Sequence, residues 1–165
     1  MLSVEVFMGK RLDEKEEFYE HLKDILSNEK VLRMKKFNQH SNSSTFKHSM
    51  HVAYFNYKIC KKLGLDERAA ARGGMLHDLF LYDWHEYAKM TGEHFHGLTH
   101  PKRSYINAKR EFELSDVEKD IIVKHMWPIT IALPKHKETW VIVFTDKYMS
   151  ICEFIDNLVK RGKAS

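Results

Sequence analysis

The sequence predicts an all-α fold, a single-domain helical bundle over residues 1–165. Apolar residues recur at the three- and four-residue spacing that lines one face of a helix. Capping residues punctuate those segments: Ser43 or Ser44, Asp66, and the "SDVE" box at residues 115–118. No internal repeat or low-complexity linker interrupts them, and 165 residues with 43% hydrophobic content suffice for one sizeable core.

Residues 13–26 begin with acidic side chains, which suit a helix N-terminus, and place Phe18, Leu22 and Ile25 on one face. A second short helix carries Val31, Leu32 and Met34, so residues 13–36 read as N-terminal helices packed on the rest of the domain. "NQHSNSS" breaks the pattern, and the next helix runs to Gly64, a residue suited to the left-handed conformation past a helix end. Asp66 caps the helix containing "AAARGG". Pro101 fits the first turn of a helix reaching residue 113, and Ser115 opens another. The last helix, Glu138 to Lys160, contains "WVIVF", which is apolar on all sides. With no partner strand elsewhere, a buried helix explains it better than a strand.

The net charge of +4 comes from scattered lysines and the tail "KRGKAS". It permits an anionic substrate and carries no strong nucleic-acid signal. The N-terminal "MLSVEVFMGKRLDEKEEF" lacks a signal-peptide run, and no segment approaches ~18 uninterrupted apolar residues, so a cytoplasmic protein with no membrane partner is expected. Cys60 and Cys152, both in helical apolar patterns, read as reduced core thiols. No Gly-rich phosphate loop, Gly-x-Ser-x-Gly elbow or CxxC pair occurs.

The 11 histidines remain, and helical phase sorts them. At 3.6 residues per turn His48 shares a stripe with Val52, Phe55, Ile59 and Leu63, whereas His51 lies with Lys47, Tyr54, Lys58 and Lys61 at the edge. His125 follows Val117, Ile121 and Ile122, and Asp146 lies with Ile142, Val143 and Met149. Gly73 and Gly74, one turn before His77 and Asp78, allow two helix backbones to approach closely at a propensity cost of about 1 kcal/mol each. A lone inward histidine is ordinarily a core residue bonded to a carbonyl. A set comprising His48, His77, Asp78, His100, His125 and Asp146, drawn from several helices, instead suits iron, manganese, zinc or a similar divalent ion.

That order, with "HSMHVA", "GGMLHD", "HPKRS", "IIVKHMWP" and "VFTDK" around its members, resembles the HD-domain superfamily of metal-dependent phosphohydrolases. "ARGGMLHDLFLYDWH" and "HGLTHPKRSYINAKREF" are similar to a group of small bacterial HD proteins labelled only as hydrolases. The resemblance, over about residues 40–155, implies an HD-type helical bundle whose core there holds two divalent transition metals. Iron or manganese is favoured, and zinc, cobalt or nickel is admissible. His48, His77, Asp78 and Asp146 would hold one metal, and His100 and His125 the other, with Asp78 bridging. Single-metal members lack the two middle histidines. His100 is preferred to His94 or His96 because it directly precedes Pro101, matching the family's His-Pro pattern.

The activity implied is hydrolysis of a small phosphorylated substrate, a nucleotide or related compound, by a hydroxide bridging the two metals. Asp83 and His85 are candidates for protonating the leaving oxygen or steering water beside Asp78. Lys102, Arg103, Lys124 and Lys147 adjoin the ligand set and are candidates for phosphate, with His40 and His96 near the pocket. Leu81 stands where one HD subgroup has lysine and another an acid, so neither subgroup's assignments transfer. Two alternatives share the ligand set: an HD-fold di-iron oxygenase, and a non-catalytic metal or nucleotide sensor. A homodimer is left open.

Overall fold

The computed structural model describes residues 13–40, 43–82 and 96–162. Helix α1, Glu14–His21, has Glu14, Glu16 and Glu17 in its first turn, where carboxylates meet the positive end of the helix dipole. The helix breaks at Leu22 and resumes as α2, Lys23–Leu26. In α3, Glu29–Arg33, the Asn28 side chain accepts from the Lys30 and Val31 N–H groups. Phe18, Leu22, Ile25, Val31 and Met34 are all buried. Phe18 meets Tyr54 edge to face at 5.2 Å, which fastens these helices to the core. Asn38–His40 and Ser43–Ser44 form a short antiparallel ladder, β1 and β2, where the sequence pattern shows only a break.

Helix α4, Thr45–Leu63, is capped by Ser44 and ends at Gly64 with φ 65°. Helix α5, Glu67–Leu76, is capped by Asp66, which accepts from the Ala69 N–H. The short connection makes α4 and α5 antiparallel neighbours, and glycine sets their separation. A Cβ on Gly74 would lie 2.8 Å from the Ala53 Cα, and one on Gly73 would lie 2.7 Å from the Ile121 Cγ2. Arg72 is buried between two carboxylates, Glu118 and Asp24, each at 2.6 Å.

The close α4–α5 approach overturns part of the expected α4 stripe. His48 and Val52 are inside, but Phe55, Ile59 and Leu63 are 41%, 36% and 61% exposed. The buried positions are Ser49, Ala53, Asn56, Tyr57 and Cys60 instead. Apolar periodicity selects the bulkiest residues, whereas a seam built on Gly74 accepts small ones, and Asn56 is buried because it accepts the Thr145 hydroxyl.

Helix α6 spans His96–Glu111, with Pro101 in its interior. Pro101 therefore does not occupy the first turn; it sits in the second, where it lacks the N–H that would reach the Gly97 carbonyl. Helix α7, Asp116–Lys124, opens with the full Ser115–Glu118 capping box. Helix α8, Lys137–Gly162, forms through "WVIVF" as expected. Asp120 organises its start by accepting from the Lys135 and His136 N–H groups and the Thr139 hydroxyl.

Helix α8 is buried along one side only. Ile142, Val143 and Met149 are inside with Asp146, while Phe144 and Tyr148 face outward. Cys152 is likewise only partly covered, so of the two free cysteines Cys60 alone is a core thiol. Burial pushes the Cys60 thiol up to about 12. No described helix is long and apolar enough to cross a membrane.

Candidate metal centre

Five helices or their ends bring six side chains into one buried cluster: His48 of α4, His77 and Asp78 after α5, His100 of α6, His125 after α7, and Asp146 of α8. Their exposures run from 0 to 7%. The His48 and His77 ring centroids are 5.7 Å apart, His77 and His125 4.8 Å, and His100 and His125 4.9 Å.

Two of the histidines use one local device. His77 is the C-cap of α5, and its Nδ1 lies 2.7 Å from the Gly74 carbonyl. His125 is the C-cap of α7, and its Nδ1 lies 2.9 Å from the Ile122 carbonyl. Each ring donates Nδ1–H to one of the carbonyls a helix end leaves without an intrahelical partner. That bond fixes the ring and turns its Nε2 toward the cluster. His77 Nε2 is buried without a hydrogen-bond partner among the described residues.

The carboxylates occupy the space between these nitrogens. Asp146 Oδ1 is 3.0 Å from His48 Nε2 and 3.7 Å from His77 Nε2. Asp78 presents Oδ2 to His77 Nε2 at 3.3 Å, and Oδ1 to His100 Nε2 at 3.2 Å and His125 Nε2 at 3.7 Å. His100 Nε2 and His125 Nε2 are 2.8 Å apart; with His125 Nδ1 committed to a carbonyl, His125 is the acceptor in that pair.

Burial and charge separate the protonation of these groups. Burial opposes the His48 imidazolium, but the Asp146 and Glu153 carboxylates outweigh it and hold the group at about 9. Burial together with the neighbouring His77 and His100 pushes His125 down to about 3, so its Nε2 is a bare donor at neutral pH. Burial would raise Asp78 and Asp146, yet the adjoining histidines hold both well below the usual carboxylate range.

Inward-facing imidazole nitrogens and ionised carboxylates, shut away from water, have the chemistry to hold a divalent transition-metal ion. Two triads fit a single ion by distance: His48, His77 and Asp146, and His77, Asp78 and His125. Their ligand atoms lie within 4.8 Å of one another in each triad.

Glu153 is the member that sequence reasoning missed. Its Oε2 lies 3.3 Å from His48 Nδ1, and its Oε1 accepts from the Ser43 hydroxyl. The available signal was its place two turns beyond Asp146, on the same face of α8. His51 sits at the edge as expected, 3.9 Å from Glu153.

The residues expected to meet substrate are dispersed. Lys124 turns away from the cluster, held by the Asp120 carboxylate and the Leu133 carbonyl. Its intrahelical partner lies one turn back, so adjacency to His125 in sequence does not bring it to the site. Lys147 caps the turn after α7, with Nζ 2.9 Å from the Trp127 carbonyl, and burial lowers its pKa. Lys102 is exposed on α6, and Arg103 lies over the Tyr82 ring at 5.1 Å. Asp83 and His85, and the side chains of His40 and His96, lie outside the described residues. Leu81 has φ 58° and ends the turn that carries His77 and Asp78, while Asn107 donates to the Leu79 carbonyl and secures that turn.

A family model described as HD domain matches residues 45–149. No curated protein and no solved structure matches the chain.

Proposed function

Because the chain belongs to the HD-domain family, we propose that it is a dinuclear metal-dependent phosphohydrolase acting on a nucleotide or related small phosphate compound. The observation that carries this reading is the orientation of Asp78, whose two oxygens face different histidines. One carboxylate can thereby serve two ions. His48, His77, Asp78 and Asp146 would hold one, and His100 and His125 would complete the other with Asp78. Iron or manganese suits the mixture of imidazole and carboxylate.

Bound divalent ions supply Lewis-acid neutralisation of phosphoryl oxygens and make water acidic enough to provide a nucleophile at neutral pH. The chain's own residues prepare the place. The backbone-tethered rings of His77 and His125 keep their Nε2 atoms aimed inward, so little reorganisation is needed when charge develops. Phe80 packs edge to face on His100 at 5.8 Å and limits water on that side. Arg103, one turn after His100 on α6, is our candidate for orienting an anionic substrate. Asp83 and His85 are our candidates for protonating the leaving oxygen.

The test is a phosphate-release screen over nucleotides, dinucleotide polyphosphates, cyclic dinucleotides and sugar phosphates, with protein loaded separately with iron, manganese, cobalt, nickel or zinc. Metal-dependent release abolished by Asp78→Asn is expected. Oxygen uptake without phosphate release would replace this reading with the oxygenase one, and metal binding without turnover of any kind would favour a sensor.

A further inference from the structure

The outward face of α8 combines Phe144, Tyr148, Ile151, Ile155 and Leu158 at alternating spacings of four and three residues. That is the 3.5-residue period of a helix that packs against another helix along its length. All five are between 51% and 67% exposed. Phe154 and Val159 flank the stripe and are 60% and 51% exposed.

Beyond Glu153 every described side chain of α8 is exposed, including Phe154, Ile155, Leu158 and Val159. A helical segment apolar on several sides belongs in an interior. Among the described residues nothing covers it.

We propose that this face is the interface between two copies of the chain, with the α8 helices antiparallel about Ile151. Two arguments favour a second copy. The first is size: large side chains present roughly 150–200 Å² each, so seven that are more than half exposed offer about 600–800 Å² per chain, within the share each partner contributes to a standard interface. This exceeds the few hundred Å² of apolar patch that a monomer ordinarily shows.

The second argument is self-complementarity, which a two-fold interface requires. Antiparallel pairing about Ile151 sets Phe144 level with Leu158 and Tyr148 within one residue of Ile155, so an aromatic ring meets an aliphatic side chain on either side of a central Ile151 pair. Parallel pairing would instead set Phe144 against Phe144 and Tyr148 against Tyr148. Interdigitation of large with smaller groups fills the seam better.

Sedimentation velocity on the full chain at micromolar concentration should give twice the 19.6 kDa chain mass. Ile151→Glu and Ile155→Glu, at exposed positions, should each keep the helical circular-dichroism spectrum and sediment as monomers. Phe144→Cys and Leu158→Cys chains, each in a Cys152→Ser background, should cross-link with one another on mild oxidation and not with themselves, because antiparallel pairing sets position 144 against position 158 whereas parallel pairing sets each position against its own copy. A monomeric wild type would overturn the proposal, as would a dimer indifferent to both glutamates. If the wild type is monomeric and α8 amides lose exchange protection only when residues 1–12 are removed, the occupant is the chain's own N-terminal segment. A dimer lost with either glutamate in which position 144 cross-links to its own copy would overturn the antiparallel arrangement.

Discussion

His48 Nδ1 lies 3.3 Å from Glu153 Oε2, so the outward nitrogen of the first cluster histidine is held by a carboxylate two turns beyond Asp146 on the same helix. A carboxylate in this position fixes the ring and raises the basicity of the inward Nε2. Glu153→Ala should weaken metal affinity by about 10- to 100-fold, with Glu153→Gln falling between it and the wild type. Chelator competition measures this independently of turnover. His51→Ala, at the half-exposed edge, should change affinity little; an equal loss there would place the effect in local charge rather than in the His48 ring.

Asp78 faces both sets of histidines, and this predicts different metal contents for different variants. His100→Ala and His125→Ala should each retain about one ion per chain and lose most turnover, because one of the two Lewis acids is gone. Asp78→Ala should bind neither ion firmly, since each loses a carboxylate that offsets its charge. Elemental analysis of variants shown to be folded by circular dichroism is the measurement. Two ions and normal activity in both histidine variants would leave a mononuclear site built on His48, His77, Asp78 and Asp146.

Gly74 touches backbone rather than a movable side chain, since an added Cβ would lie 2.8 Å from the Ala53 Cα and 3.2 Å from its nitrogen. Gly74→Ala should therefore lower the urea midpoint by the equivalent of about 1–3 kcal/mol. It should also weaken metal binding, because the α4–α5 seam sets the distance between His48 and His77. Gly64→Ala, with open space around it but φ 65°, should cost about 1 kcal/mol and leave metal binding alone.

Asp120 provides a pH prediction remote from the cluster. Burial would raise its pKa, but Lys124, the Lys135 N–H, Thr139 and the His136 N–H outweigh that and lower it from the ordinary carboxylate value. A carboxyl depressed in the folded state adds stability that is fully present above its unfolded value of about 3.9 and disappears as pH falls through the folded one. Asp120→Asn should be less stable at neutral pH and show a flatter loss of stability below about pH 4 in urea titrations. Lys124→Ala should lower stability and leave KM unchanged, because its ammonium serves Asp120.

Much of the scaffold was legible because its determinants are local. The Asp66 cap, the Ser115–Glu118 box and the left-handed Gly64 each depend on a few consecutive residues, and each forms as read. The C-capping bonds of His77 and His125 are equally local, reaching carbonyls three residues back. Pro101 was misplaced because a proline marks what a helix tolerates, and α6 tolerates it in the second turn.

The sequence by itself determined which segments are helical, which residues carry nitrogen and carboxylate donors, and which glycines admit close packing. Tertiary structure alone decided how α4 is rotated, and hence that Ser49, Ala53 and Asn56 are inside while Phe55, Ile59 and Leu63 are outside. It also decided that Glu153 meets His48 and that Asp78 divides its oxygens between two sets of histidines. The physical reason is range. Backbone caps are satisfied within one turn of chain, whereas the burial and direction of a side chain depend on which neighbour lies across the seam, and that neighbour is supplied from tens of residues away.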